Sequence, residues 1–85
     1  MVRVKICGVT ADADLRAVER AGADAVGVVA DVPVDTPRAV SLEAAARLFD
    51  AAPPFLTTTL VTMADTAAEA TAAADAVGAD VLQLH

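Results

Sequence analysis

The sequence predicts an α/β fold in which four parallel strands alternate with three helices, beginning and ending on a strand. Three observations carry this reading. Short apolar or alternating runs of strand length recur at residues 2–7, 25–30, 55–63 and 81–84. Stretches with apolar residues at helical spacing separate them. The segments Ala21-Gly22-Ala23-Asp24 and Val77-Gly78-Ala79-Asp80 form an internal repeat, each closing a helix on glycine and entering a strand through Ala-Asp. Repeated strand–helix units joined by right-handed crossovers make every strand parallel to its neighbours.

In the first strand, Val2, Val4 and Ile6 alternate with Arg3, Lys5 and Cys7, so one face is apolar and the other carries charge and a thiol. Thr10 is placed to cap the helix over residues 11–21. There Ala11, Leu15 and Val18 form one stripe, and Asp12 and Asp14 sit in the first turn, where the helix dipole favours acid. Gly22 closes that helix. The second strand, residues 25–30, is almost wholly apolar, as a buried parallel strand is. The loop at 31–38 carries Pro33 and Pro37 and is long for a strand-to-helix connection, which marks it as a functional loop. Ser41 caps the second helix, Glu43 lies in its first turn, Ala45, Leu48 and Phe49 form its stripe, and Pro53-Pro54 end it. The third strand, residues 55–63, holds Thr57-Thr58-Thr59, which favour β conformation but are polar for a buried strand. Thr66-Ala67-Ala68-Glu69 is a capping box for the third helix, whose stripe is Ala70, Ala73, Ala74 and Val77. Gly78 closes it, and the fourth strand follows at 81–84.

At 85 residues the chain is one small domain, which on size scaling buries little more than about 60% of its unfolded surface. The apolar fraction is 56%, yet much of it is alanine and only Phe49 and Phe55 are aromatic, so core volume comes from Val and Leu. Twelve acidic residues against six basic ones give a net charge of −6, and Lys5 is the only lysine. That balance argues against nucleic-acid or anionic-membrane surfaces. It suggests instead an organism with a salty cytoplasm, where acidic surfaces stay hydrated and their repulsion is screened. No run is long enough to span a membrane and no signal peptide opens the chain, so the expected location is the cytoplasm. A lone cysteine fits a reducing compartment. Metal ligands are too few for a zinc site and no glycine-rich phosphate loop occurs, so neither metal nor cofactor is expected.

Chemistry concentrates at Val4-Lys5-Ile6-Cys7-Gly8-Val9-Thr10. A strand delivers a thiol to its C-terminal end and Gly8 lets the backbone turn sharply, at the end of the sheet where α/β proteins place their sites. Taken alone, Cys7 fits either a reactive thiol or a small buried apolar residue. Gln83 and His85 share a strand face which, by the period of two, is that of Cys7. His85 is the last residue, and fraying competes with a role there.

The opening segment resembles that of the phosphoribosylanthranilate isomerase family, which begins Lys-Ile-Cys-Gly-x-Thr. Three further segments agree in order and spacing: Gly22 to Val29, Thr36-Pro37-Arg38 with Val40-Ser41, and Val81-Leu82-Gln83-Leu84-His85. The resemblance implies half of a TIM-type (βα)8 barrel, residues 1–85 being the N-terminal part of an intramolecular aldose-ketose isomerase of tryptophan biosynthesis. It further implies an Amadori rearrangement of N-(5-phosphoribosyl)anthranilate with Cys7 as general base. A thiol does that work only as thiolate, which positive charge or a helix N-terminus favours, and the first helix is placed to help. By the same resemblance Arg38 pairs with the substrate's anthranilate carboxylate, a task that suits a planar guanidinium, while Gln83 and His85 line the substrate pocket. Lys5 reads as a structural charge. The family's general acid and phosphate site lie on later strands, so the chain by itself is expected to be inactive, with the missing C-terminal half or a second copy as partner. The alternative function is a non-catalytic half-barrel scaffold that folds and self-associates. The alternative fold is a flavodoxin-like, doubly wound rearrangement with the first strand between the second and third. That arrangement would bury Lys5 under a helix at a cost of several kcal/mol.

Overall fold

The computed structural model describes residues 3–30 and 36–84. Its elements run β1 (Lys5–Cys7), α1 (Asp12–Arg20), β2 (Ala25–Ala30), β3 (Ala39–Val40), α2 (Leu42–Ala51), β4 (Thr57–Thr62), α3 (Ala67–Val77) and β5 (Val81–Leu84). All strand pairs are parallel, and the long strands lie in chain order, β1-β2-β4-β5. Because β2 pairs β1 on one edge and β4 on the other, the doubly wound alternative is not formed. The two-residue β3 was not expected from the sequence, where 31–38 reads as loop running into Ser41. Val29 pairs Val61 of β4 on one side and Ala39 on the other, so β3 lies on the same edge of β2 as β1, further toward its C-terminal end.

One core holds the layers together. Leu15 and Val18 of α1, Ala45, Leu48 and Phe49 of α2, and Ala73 and Val77 of α3 pack in one cluster with Val26, Val28 and Leu60 of the sheet. All three helices therefore cover a single face, the half-barrel arrangement. The register puts Lys5, Cys7, Gly27, Thr59, Val61 and Gln83 on the opposite face. Along the sheet, β1 and β5 stand three strand spacings of about 4.8 Å apart. Even so, Lys5 Nζ donates to Gln83 Oε1. That link is a chord across the open face, which a sheet curled with this face inside permits.

The Ala-Asp repeat has a structural meaning. Asp24 Oδ2 accepts the Val4 N–H at 2.8 Å, just before β1, while the Asp24 N–H donates to the Val4 carbonyl at 2.8 Å. Asp80 Oδ2 accepts the N–H and hydroxyl of Thr58, at 3.0 and 3.2 Å, while the Asp80 N–H donates to the Thr58 carbonyl. Each aspartate thus latches the start of its own strand to the start of the neighbouring one. This also accounts for polar residues in a buried strand: Thr58 is 5% exposed and has its partners in Asp80.

Three local expectations are corrected. The third long strand starts at Thr57, and Phe55 lies outside it, 99% exposed, because Leu56 first turns back to bond the Pro53 carbonyl. Helix α1 has Ala11 at its N-cap with no side-chain cap. Thr10 does not cap it. Instead Asp14 Oδ2 accepts the Thr10 N–H at 3.3 Å and its hydroxyl at 3.4 Å. The described part of the first strand is shorter than expected, and Val2 lies outside the described residues. The other helix signals hold: Ser41 accepts from Ala44, Thr66 accepts from Glu69, and Gly22 and Gly78 follow their helices with φ of 77° and 71°.

Candidate active site

Cys7 is the last residue of β1, at the C-terminal end of the sheet, and is exposed, so it is not the small buried apolar residue of the competing reading. Its register partner is Gly27. The chain then turns at Gly8, whose φ of 88° is one that a side chain rarely tolerates. The Gly8 and Val9 N–H groups both donate to the Gly27 carbonyl, at 3.0 and 3.2 Å, which ties the turn to the neighbouring strand.

Arg38 arrives at this turn from the other side. A tight turn holds its backbone, with the Arg38 N–H on Thr36 Oγ1 at 3.4 Å and the Ala39 N–H on the Thr36 carbonyl at 3.1 Å. Pairing of β3 with β2 then fixes the segment beside β1. The Arg38 side chain lies against Gly8: a Cβ on Gly8 would stand 3.2 Å from Cδ and 3.7 Å from Nε. Two residues far apart in sequence are thereby brought to one corner, the Arg38 stem lying against the glycine that follows Cys7.

Gln83 is exposed on β5, on the same face as Cys7 but at the far edge of the sheet, and its side-chain oxygen is held by Lys5. Lys5 lies two positions before Cys7 on that face, so the structural charge expected of it takes the form of a link between the two edges. The sequence reading missed this link; the period of two places both side chains on one face but does not reveal that the face curls. His85 and residues 31–35 of the predicted functional loop lie outside the described residues. In the first turn of α1, Asp14 accepts the N–H and hydroxyl of Thr10, just ahead of the Ala11 N-cap. Among the described residues no three His, Cys, Asp or Glu side chains gather as metal ligands, and no helix is long and apolar enough to cross a membrane.

No protein-family model matches the chain. Over all 85 residues it is 65% identical to the N-(5'-phosphoribosyl)anthranilate isomerase of Haloferax volcanii, a halophile, and covers 38% of that relative. Its fold superposes on the crystal structure of TrpF from Jonesia denitrificans with a TM-score of 0.91 at 32% identity, covering 100% of this chain and 40% of that one. It superposes on phosphoribosyl anthranilate isomerase in complex with reduced 1-(o-carboxyphenylamino)-1-deoxyribulose 5-phosphate with a TM-score of 0.89 at 38% identity, covering 100% of this chain and 43% of that one. The chain thus spans about two fifths of the length of the relatives it matches. From identity along its whole length, and from the half-barrel that superposes on solved members, the chain belongs to the phosphoribosylanthranilate isomerase family.

Proposed function

We propose that residues 1–85 form one domain that supplies the base and the carboxylate-binding corner of a phosphoribosylanthranilate isomerase site. The observation that carries this is the meeting of Arg38 with the Cys7-Gly8 turn at the C-terminal end of the sheet. An Amadori rearrangement turns an aldosamine into an aminoketose and needs an acid and a base. The acid protonates the ring oxygen of the sugar and opens it. Cys7, as thiolate, then takes the C2′ proton of the Schiff base, leaving an enolamine that tautomerises to the ketone. Arg38 pairs with the anthranilate carboxylate and so fixes the end of the substrate remote from the sugar. By the family resemblance Gln83 and His85 belong to the substrate pocket as well, and the acid and the phosphate grip come from strands outside these 85 residues. A salty cytoplasm is the setting we propose for this work, a reading supported by the acidic composition and by the relative from a halophile.

The test is turnover of N-(5-phosphoribosyl)anthranilate by the chain alone and by the chain mixed with the remaining strands of a family barrel. Alone it is expected to be inactive, since a general acid is worth about 10²- to 10⁴-fold by itself. Turnover should return on mixing and vanish with Cys7→Ala. Undiminished activity of that variant would overturn the assignment of the base.

A second reading, self-association, is favoured by one specific observation. Val4 just before β1, Ile6 on β1 and Leu84 on β5 are 46%, 40% and 62% exposed, all at the two edges of the sheet. Open parallel edges with apolar side chains invite pairing with a second copy or with the rest of a barrel. Sedimentation equilibrium would report a mass above that of one chain, and a monomer at all concentrations would remove this reading.

A further inference from the structure

We propose that Gly27 is a positioning residue for Cys7, its missing side chain being the seat of the thiol. Of the four glycines, Gly8, Gly22 and Gly78 have positive φ, which accounts for them by backbone conformation alone. Gly27 does not, and it lies buried in the interior of β2, where glycine weakens a strand and gives nothing to the core. The reason for it is on the neighbouring strand. A Cβ at position 27 would stand 3.0 Å from Cys7 Sγ, 3.3 Å from its Cα and 3.4 Å from its Cβ. No ordinary side chain occupies such a space without moving the sulfur. The same residue's carbonyl accepts the Gly8 and Val9 N–H groups. Gly27 therefore fixes the thiol through the space it leaves and, through its backbone, fixes the Gly8 turn against which the Arg38 stem lies. It touches no substrate and acts through these neighbours.

This inference rests on Cys7 being the base only for its consequence in catalysis; the seat itself is a geometric claim and can be tested without turnover. The variant is Gly27→Ala, and the readouts are the Cys7 Hα–Hβ couplings, which report χ1, and the rate of Cys7 alkylation by iodoacetamide as a function of pH. We expect loss of the wild-type χ1 rotamer and a changed alkylation rate on the high-pH plateau, where every thiol is ionised and the rate reports access alone. Couplings and plateau rate equal to those of the wild type would overturn the proposal. If Gly27→Ala fails to fold, the double variant Cys7→Ala/Gly27→Ala decides: folding restored by removing the sulfur supports the seat, and a double variant that is still unfolded overturns it. Isomerase turnover that survives Cys7→Ala would sink the base assignment while leaving the seat standing, so the two failures are distinguishable.

Discussion

The two ends of the sheet are built in opposite ways. At the end where the strands begin, Asp24 and Asp80 close the gaps between neighbouring strands, each carboxylate taking an N–H from the strand beside its own. At the end where the strands finish, the corner is shaped by side chains that are absent: Gly8 leaves room for Arg38, and Gly27 leaves room for Cys7. One end adds polar contacts and the other gives up packing. In a barrel of strand–helix units, that is the division between an end that holds the fold and an end that hosts chemistry. The contrast makes a separable claim: changes at the first end should cost stability, and changes at the second should cost function.

The largest effect tests the second half of that claim. In an assembly with the remaining strands of a barrel, Cys7→Ala should lower turnover by about 10²- to 10⁴-fold, the range for losing a general base. The unfolding free energy from urea titration should change by no more than a surface substitution does, about 0.5 kcal/mol. A large stability loss without loss of turnover would break the comparison outright.

At the other end the two latches differ in depth, and so should their effects. Thr58 is 5% exposed and gives both its N–H and its hydroxyl to Asp80. Asp80→Ala therefore strands two donors that water reaches poorly, and should cost about 2–3 kcal/mol. Val4 is 46% exposed, so water can replace Asp24 as the acceptor of its N–H, and Asp24→Ala should cost about 1 kcal/mol. Urea unfolding of the two variants measures both. Equal losses would mean that the latches do not work through desolvated hydrogen bonds.

A smaller effect separates two glycines that both have positive φ. Gly8 and Gly78 have φ of 88° and 71°, so alanine at either should cost about 1–2 kcal/mol in left-handed strain. Around Gly78 nothing lies within 4 Å of an added Cβ, whereas at Gly8 the Cβ meets the Arg38 stem at 3.2 Å. That stem is flexible and can swing aside, so the stability losses should agree to within about 0.5 kcal/mol. Only Gly8→Ala should raise the KM of an assembled isomerase, because only there does the guanidinium lose its place.

How much of this could be read from residues alone follows the same division. The strand–helix alternation, the chain-order sheet and the caps at Ser41 and Thr66 are local or periodic signals, and they are legible in the sequence. The Ala-Asp repeat is equally visible, but its role as a latch is not, because Val4 and Thr58 lie 20 and 22 residues from their partners. The same holds at the site. Cys7 stands out through its motif, while its seat on Gly27 depends on strand register, which no single segment encodes. The short β3 and the placing of Arg38 beside Gly8 escape for the same reason, and Thr10 misled because the helix starts one residue later, with Ala11 at its N-cap.

The smallest effect asks whether the latches are contacts or long-range charge. With a net charge of −6, the folded chain concentrates repulsion that molar salt should relieve, since the Debye length falls from about 10 Å at 0.1 M to about 3 Å at 1 M. Thermal midpoints in potassium chloride should therefore rise between those concentrations, and an unchanged midpoint would remove the halophilic reading. The Asp24 latch should respond differently. Its carboxylate accepts from an uncharged N–H at 2.8 Å, closer than the screening length even at 1 M, so salt should leave the bond itself untouched. Asp24→Ala also removes one negative charge, which relieves some repulsion at low salt and masks part of the lost bond there. The penalty of the variant should accordingly grow with salt, by a few tenths of a kcal/mol, the scale of an exposed charge interaction. Paired melts of wild type and variant at both salt concentrations give that difference directly. A penalty that shrinks as salt is added would mean that Asp24 acts through its field, and that this end of the sheet is held by charge and not by the hydrogen bond between adjoining strands.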